Sequence, residues 1–140
     1  MAFKKEKKSP ILKKKIEETN VSNFKVSLQY LDTTQKYGSA WKDWQSAGLL
    51  SKAMETLQGY CKRPLQEQVC GVKFTIYKDF PATDKTHYEY PEHVPEDACW
   101  ARIHITGAAV LAGHIYKDTF YVVFLDKTHK FYLTKKVTGK

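Results

Sequence analysis

Residues that transfer protons or hold phosphates are concentrated in the last third of this 140-residue chain. A run that begins at Trp100 alternates like a β-strand, which puts Arg102 and His104 on one face of that strand. His129 and Tyr132 follow further along the chain. Arginine holds a phosphate through two parallel hydrogen bonds, and histidine donates or accepts a proton near neutral pH. These residue types suit metal-free RNA cleavage, which needs a base for the 2′-hydroxyl, a cation for the phosphate and an acid for the leaving oxygen.

The same residues also have an ordinary structural interpretation. Arg102 could pair with an acid such as Asp118 or Asp126, and His104 and His114 could be exposed polar residues of a sheet. For each residue taken singly, the structural interpretation is the simpler one. Only their joint occurrence favours a functional site, so the sequence leaves both interpretations open.

Other site chemistries have little support. The chain has no GxGxxG, GxxxxGK[ST], GxSxG or HExxH motif, which argues against a nucleotide-binding loop, a hydrolase nucleophile turn and a zincin site. His87 and His93, with Asp84 or Glu89, could hold a metal ion from a folded loop, and solvent-exposed polar residues are the competing interpretation. We predict no metal and no cofactor. The three cysteines have no CxxC spacing, and we expect them to be small apolar residues in a reducing cytoplasm.

The net charge of +8 is concentrated at the two ends of the chain. Residues 1–15 hold seven lysines and one glutamate, and residues 127–140 hold five lysines and no acid. Clustered lysines attract polyanions with little regard to their sequence. We predict a flexible basic arm over residues 1–20, which either contacts nucleic acid or is a solvated tail, and whose apolar face is too thin for a membrane. Nucleic-acid contacts are assigned to Lys127, Lys130 and His104, and to the lysines of the arm: Lys4, Lys5, Lys7, Lys8, Lys13, Lys14 and Lys15.

Periodicity places the elements that would carry these residues. Alternation predicts a first strand over residues 24–31, and apolar spacings of three and four predict helix over residues 41–61. Gly48 is expected to divide that segment into a short and a longer helix, and a helical turn is expected at 64–69. The apolar face of the longer helix is predicted to contain Leu50, Met54, Leu57 and Cys61, with Ala53 beside them.

The rest of the chain predicts a sheet interrupted by one long loop. Residues 72–77 alternate as a second strand, and residues 80–98 are turn-like and proline-containing, a loop long enough to be functional. Ile103 and Ile105 are expected to face the helices, which would leave the face with Arg102 and His104 open to solvent. We therefore predict one α+β domain over residues 21–140, with a mainly antiparallel sheet and two helices on one face. Its last four strands are predicted over residues 100–106, 109–116, 119–126 and 128–133.

This order of elements resembles the RelE superfamily of small bacterial ribonuclease toxins, which includes the HigB and YoeB branches. Residues 24–31 and 41–61 match its first strand and helices, Arg102 takes the place of its phosphate-contacting arginine, and FYVVFLDKTHKFY (residues 120–132) is similar to its closing hairpin. The resemblance implies a RelE-like fold and ribosome-dependent mRNA cleavage, with His129 or Tyr132 in proton transfer and Lys127 or Lys130 steadying the phosphate. The chain departs from the family in having only two arginines, Arg63 and Arg102.

Two functions are therefore expected to compete. The first is an RNA-directed, toxin-like endoribonuclease that acts in the cytoplasm, with RNA or the ribosome and an antitoxin as partners and with Arg102, His129 and Tyr132 as catalytic residues. The alternative is a non-catalytic module that binds nucleic acid or protein, as in accessory proteins of mobile elements or defence systems. Residues 120–132 are also similar to the ends of uncharacterised phage and plasmid proteins, which supply no activity. No apolar run approaches the 18 or so residues that a membrane span needs, so we expect no membrane partner.

Overall fold

The computed structural model describes residues 22–133, and the basic arm lies outside these residues. They form an α+β fold with a five-stranded, mostly antiparallel mixed sheet and two short helices. β1 runs parallel to β5, and every other neighbouring pair is antiparallel. The strands are β1 (Lys25–Ser27), β2 (Phe74–Lys78), β3 (Cys99–His104), β4 (Val110–Tyr116) and β5 (Thr119–Asp126), in the spatial order β1-β5-β4-β3-β2.

The helices are α1 (Trp41–Ser46) and α2 (Leu50–Tyr60), followed by a 3-10 helix at Leu65–Gln68. Gly48 divides α1 from α2 with a φ of 73°, a left-handed conformation that glycine adopts without steric cost, so the predicted break is confirmed. The predicted apolar face of α2 is wrong at Met54, which is 54% exposed.

The buried stripe of α2 instead runs through Ala53 and Leu57, with the partly buried Tyr60 packed against the same core. Spacings of four and three residues keep these side chains on one side of the helix. Ala53, the smallest of the three side chains, replaces Met54 in the contact.

One side of the sheet, which we call the helix face, packs against both helices. Ala101 and Ile103 of β3 lie there with Leu111 and Phe120, and Trp44 and Leu57 cover them from the helices. The rings of Phe24, Phe74 and Phe120 contact one another with centroids 6.1 to 6.3 Å apart. This face is a conventional hydrophobic core, and it confirms the predicted direction of the Ile103 side chain.

The opposite side of the sheet, which we call the loop face, is covered rather than open. Trp100, Ala112 and Phe124 of the strands pack there against Tyr88 and Phe131, which come from residues 80–98 and 129–133. The two covering segments are joined because the His87 N–H donates to the Lys130 carbonyl (3.0 Å) and the Leu133 N–H donates to the Lys85 carbonyl (2.7 Å). The prediction of an open face was wrong because the long loop contributes its own aromatic side chains.

The last and first predicted strands also differ from the structure. Residues 127–133 form turns instead of a strand, because the Asp126 carboxylate accepts the N–H groups of Lys130 (2.9 Å) and Phe131 (2.8 Å) and folds the chain back. The first strand covers only Lys25–Ser27. Beyond it, Asp32 and Ser39 donate their N–H groups to carbonyls of β5 and so cover the rest of its edge.

A β-bulge in β5 adjusts which side chains reach each face. Ala112 pairs with Phe124 and Gly113 pairs with Val122, so Val123 is an extra residue in β5. A Cβ atom on residue 113 would lie 1.9 Å from the Tyr121 carbonyl oxygen, and therefore only glycine fits opposite the bulge. As a result, two consecutive residues, Val123 and Phe124, both contribute to the core of the loop face.

Candidate functional site

Arg102 and His129 meet on the loop face although 27 positions separate them in the chain. β3 directs Arg102 toward this face, and the turn after β5 brings His129 over it. Arg102 Nη1 lies 3.2 Å from His129 Nε2. Because a guanidinium can only donate, Nε2 is the acceptor and is unprotonated in this contact. The pairing joins two of the three residues predicted to be catalytic.

His104 completes a group of three basic side chains. Its ring centroid lies 5.3 Å from that of His129, and its Nδ1 is 3.3 Å from the Thr106 carbonyl, which can only accept. Nδ1 therefore carries the proton, and Nε2 is the free nitrogen in the neutral ring. Partial burial lowers the pKa of His104; the hydrogen bond to the Thr106 carbonyl opposes this shift, and the Arg102 charge adds to it. His104 is thus a neutral imidazole at neutral pH, able to accept a proton.

A stacked pair of tyrosines lies next to Arg102. The Arg102 guanidinium lies 5.5 Å from the centroid of the Tyr77 ring, and Tyr132 stacks on Tyr77 at 4.5 Å. Burial raises the pKa of Tyr77 to about 12, against the opposing effect of the Arg102 charge. Tyr132, the third predicted catalytic residue, therefore contacts Tyr77, which in turn contacts the Arg102 guanidinium. We call Arg102, His104, His129, Tyr77 and Tyr132 the arginine–histidine cluster.

No carboxylate among residues 22–133 forms an ion pair with Arg102; the two ion pairs found there, Lys25–Asp118 and Arg63–Glu67, lie elsewhere. The alternative that Arg102 pairs with Asp118 or Asp126 is therefore wrong. The Asp126 carboxylate is fully buried and accepts the Tyr88 hydroxyl (3.1 Å) in addition to its two backbone donors. Burial raises the pKa of Asp126, although those hydrogen bonds oppose the shift. The cluster is consequently cationic, and the Asp126 carboxylate is committed to the turn that holds His129.

Three buried polar atoms at the cluster have no hydrogen-bond partner: Thr75 Oγ1, Tyr77 Oη and Arg102 Nε. Thr75 is the direct neighbour of Arg102 across β2 and β3. Buried polar atoms nearly always find a partner in folded proteins, so orphaned ones call for an explanation. All three can donate a hydrogen bond and are enclosed by the protein, so the cluster has unused donors next to the Arg102 Nη1 contact.

The backbone at His129 is strained. Its φ of 62° lies in the left-handed region, where a residue with a Cβ atom costs roughly 1–2 kcal/mol relative to its preferred conformation. Glycine or asparagine is the usual solution in such a turn. Lys78 and Lys117 share this left-handed conformation. At His129 it coincides with the hydrogen bond from Arg102, so the turn holds the ring beside the guanidinium.

The predicted lysine contacts divide into two groups. Lys127 and Lys130 lie on the same turn as His129 and are partly exposed, so both flank the cluster. The predicted contacts Lys4, Lys5, Lys7, Lys8, Lys13, Lys14 and Lys15 lie outside the described residues.

A surface pocket of about 480 Å³ adjoins the cluster at His104. Lys73, Tyr60 and Thr106 also line it, which adds a second cation and an aromatic ring beside the imidazole. Lys73, Tyr77 and Thr75 were missed in the sequence. The signal was available for all three, because alternation over residues 72–77 places them on the strand face opposite Phe74 and Ile76.

The loop histidines do not form a metal site. The His87 ring lies 4.6 Å from the ring of Tyr37, while His93 Nε2 is 2.7 Å from the Tyr30 carbonyl. Within residues 22–133, no group of three or more His, Cys, Asp or Glu side chains is arranged to hold a metal ion. The interpretation of His87 and His93 as ligands is therefore not supported.

Comparison of the chain with protein-family models, curated proteins and solved structures found no match. No helix among residues 22–133 has the length and apolar character needed to cross a membrane. The case for a function therefore rests on the geometry of the cluster.

Proposed function

We propose that this protein binds RNA at the arginine–histidine cluster and cleaves the phosphodiester by proton transfer between side chains. The observation that carries the proposal is the 3.2 Å contact of Arg102 with His129, with the neutral His104 ring beside it. No carboxylate of residues 22–133 is paired with Arg102. A half-buried cation without a counterion is costly, and a phosphate would supply the missing charge. Two imidazoles next to that phosphate provide the base and the acid that the reaction needs.

Each residue has a defined role in the proposed reaction. The phosphate takes over the N–H groups of Arg102, which frees His129 Nε2 to hold a proton beside the anion. His104 Nε2 removes the proton of the 2′-hydroxyl, and the 2′-oxygen forms a bond to phosphorus. The bond from phosphorus to the 5′-oxygen breaks as His129 protonates that oxygen. The products are a 2′,3′-cyclic phosphate and a free 5′-hydroxyl, so atoms and charges balance.

The flanking residues are proposed to hold the strand. Tyr132 offers an aromatic surface for a base, a contact worth roughly 1–3 kcal/mol in single-strand binding. Lys127, Lys130, Lys73 and the lysines of residues 1–15 would contact neighbouring phosphates. In this proposal the chain is a RelE-like toxin that acts on mRNA at the ribosome in the cytoplasm and is restrained by an antitoxin.

The second candidate is a non-catalytic module that binds nucleic acid or protein. It is favoured by the stacking of Tyr132 on Tyr77 beside the Arg102 guanidinium, an aromatic and cationic surface that can hold a base without any proton transfer. Such a module would use the same cationic cluster to hold a strand or an acidic segment of a partner without cutting it.

Expression of the wild type beside Arg102→Met, His104→Asn and His129→Asn tests the first proposal. Asparagine tolerates the left-handed backbone at residue 129, so that variant removes the imidazole without adding strain. Arg63→Met is the matched control, because Arg63 is the only other arginine and is exposed on the surface. We expect growth arrest and mRNA cleavage with the wild type and Arg63→Met, and a loss of about 10²- to 10⁴-fold in cleavage rate with the histidine variants.

A substrate with one 2′-deoxy nucleotide separates cleavage from binding. The proposed nuclease binds this substrate but does not cut it there, because the attacking 2′-hydroxyl is absent. If wild-type expression leaves growth and translated mRNA intact, the nuclease proposal is wrong. Binding that weakens steeply with salt and on deletion of residues 1–15 would then support the module.

A further inference from the structure

A second pocket, of about 430 Å³, lies at the opposite end of the loop face. His114 of this pocket pairs with Trp100 of β3 on one side and with Tyr121 of β5 on the other. Trp100 is four residues before His104 on β3, so the two pockets lie at opposite ends of the strand. The pocket is walled by His114, Tyr121, Tyr30 and Tyr116, with Asp97 at its rim. None of these residues belongs to the arginine–histidine cluster.

The walls are an assembly of aromatic rings. The His114 ring stacks on Tyr121 at 5.0 Å, and Tyr30 lies 5.2 Å from His114 and 5.4 Å from Tyr121 in an edge-on arrangement. His114 is 5% exposed, and its Nε2 has no hydrogen-bond partner. A buried imidazole without a partner at Nε2 is unusual, and here it forms part of the pocket wall.

The charge of the pocket is opposite to that of the arginine–histidine cluster. Among the described residues that line the pocket, Asp97 is the only carboxylate, and none is a lysine or an arginine. Burial lowers the pKa of His114, so the imidazole is neutral there. On the outer side, the Lys117 ammonium lies 5.3 Å from the centroid of Tyr116, which places a cation against one of these rings already.

We infer that this pocket binds an organic cation, either a quaternary ammonium or a guanidinium group. Electron-rich aromatic faces attract such cations, and a carboxylate at the rim adds to the attraction. A polyanion such as RNA would instead meet the Asp97 carboxylate, and the Lys117 ammonium lies on the outer side of the Tyr116 ring and not among the described lining residues. The inference does not rest on the proposed nuclease activity.

The test is an NMR titration of the full chain with choline and with its neutral isostere 3,3-dimethylbutan-1-ol. Choline should bind more tightly by about 2- to 30-fold, the range that cation–π attraction provides. N-acetylarginine methylamide, titrated in parallel, distinguishes a free small cation from a basic side chain of a partner.

Variants on the rim make the result specific. Asp97→Asn and Tyr116→Leu should each weaken choline binding by at least about 2-fold, and Tyr116→Phe should restore it, because the ring is retained. Asp97 and Tyr116 are exposed, so these changes leave the core intact. Glu92→Gln is the control, since Glu92 is an exposed acid of the same loop outside the pocket lining.

Equal affinity for choline and its isostere would overturn the inference, and so would no binding of either cation. Tighter binding of uridine than of both cations, abolished by Tyr116→Leu, would assign the pocket to nucleobases and would also overturn it.

Discussion

The two faces of the sheet are similar in burial but differ in chemistry. The helix face is filled by hydrocarbon and aromatic side chains packed against two helices. The loop face is also buried, yet it contains Arg102, His114 and Asp126 among its aromatic residues. Of the six buried side-chain polar atoms without a partner among residues 22–133, only Trp44 Nε1 belongs to the helix face.

This difference suggests that the helix face contributes mainly to stability and the loop face mainly to ligand binding. Regular helices satisfy their own backbone groups, so the helix face needs only apolar contacts. The loop face is closed by irregular chain that brings polar groups inward, and several of them stay unsatisfied or strained. We therefore expect changes on the helix face to alter mainly folding, and changes on the loop face to alter mainly ligand binding.

A matched pair of core phenylalanines tests this contrast most strongly. Phe74 and Phe131 are both fully buried, the first on the helix face and the second under the closing turns. Phe74→Ala should lower the free energy of unfolding by about 3–5 kcal/mol. Phe131→Ala should lower it less, because residues 127–133 can open locally without unfolding the sheet.

Urea denaturation measures both losses, and amide exchange locates the opening. If Phe131→Ala costs as much as Phe74→Ala and removes protection from the whole sheet, the two faces are one cooperative unit and the contrast is wrong.

The buried carboxylate of the loop face should give an unusual pH dependence. Burial raises the pKa of Asp126, so the folded state binds its proton more tightly than the unfolded state does. The stabilisation is therefore fully present below the ordinary aspartate pKa and is lost as the pH rises through the raised value. Asp126→Asn should remove this component from the pH profile of the free energy of unfolding, as measured by urea denaturation.

Asp118 provides a control of opposite sign. Hydrogen bonds from Ser22, Lys25 and Thr119 lower its pKa, so its stabilisation is present above the ordinary aspartate pKa and is lost as the pH falls. A profile in which Asp118→Asn and Asp126→Asn shift stability in the same direction would contradict the assignment.

The strained backbone at His129 predicts that glycine is more stable than alanine at this position, the reverse of the usual order. Because residue 129 has a positive φ, His129→Gly should be more stable than His129→Ala by about 1 kcal/mol. At the exposed neighbour Thr128, glycine should instead be the less stable of the two, owing to its greater flexibility in the unfolded chain. Thermal denaturation of the four variants measures these differences. If the alanine variant is more stable than the glycine variant at both positions, the backbone at His129 is not strained.

The smallest expected effect concerns an unpartnered hydroxyl. Thr75→Val removes Oγ1, which is buried without a hydrogen bond, so stability should be unchanged or rise by up to about 1 kcal/mol. Thr86→Val is the comparison, because Thr86 Oγ1 accepts the Tyr88 N–H (3.1 Å), and it should lose about 1 kcal/mol. A clear loss of stability in Thr75→Val would mean that this hydroxyl does have a partner in solution.

Local pattern predicted much of the fold. The break at Gly48, the helical turn near residue 65 and the opposite directions of Ile103 and Arg102 all agree with the structure. These features depend on neighbours within a few residues, so periodicity and glycine placement are enough to indicate them. Met54 was misplaced because two apolar stripes fit the same helix, and only contact with the sheet selects one of them.

The sequence predicted most residues of the candidate site but not the structure that surrounds them. Arg102, His104, His129 and Tyr132 were selected by residue type. In the structure His129 contacts Arg102 and the His104 ring, while Arg102 and Tyr132 both contact Tyr77. The predicted strand over residues 128–133 and the open face were wrong. The strand is absent because the Asp126 carboxylate captures backbone N–H groups that would otherwise have joined it. The face is covered because residues 80–98 contribute aromatic side chains.

The sequence by itself determined which residues share a strand face, where the helix breaks and which side chains can carry charge, because these follow from short-range geometry. Tertiary structure decided what covers the second face, that the Arg102 guanidinium meets His129 instead of a carboxylate, and that an acidic aromatic pocket forms at the other end of the same face. Such contacts join segments tens of residues apart, and their formation depends on which distant surfaces exclude water together.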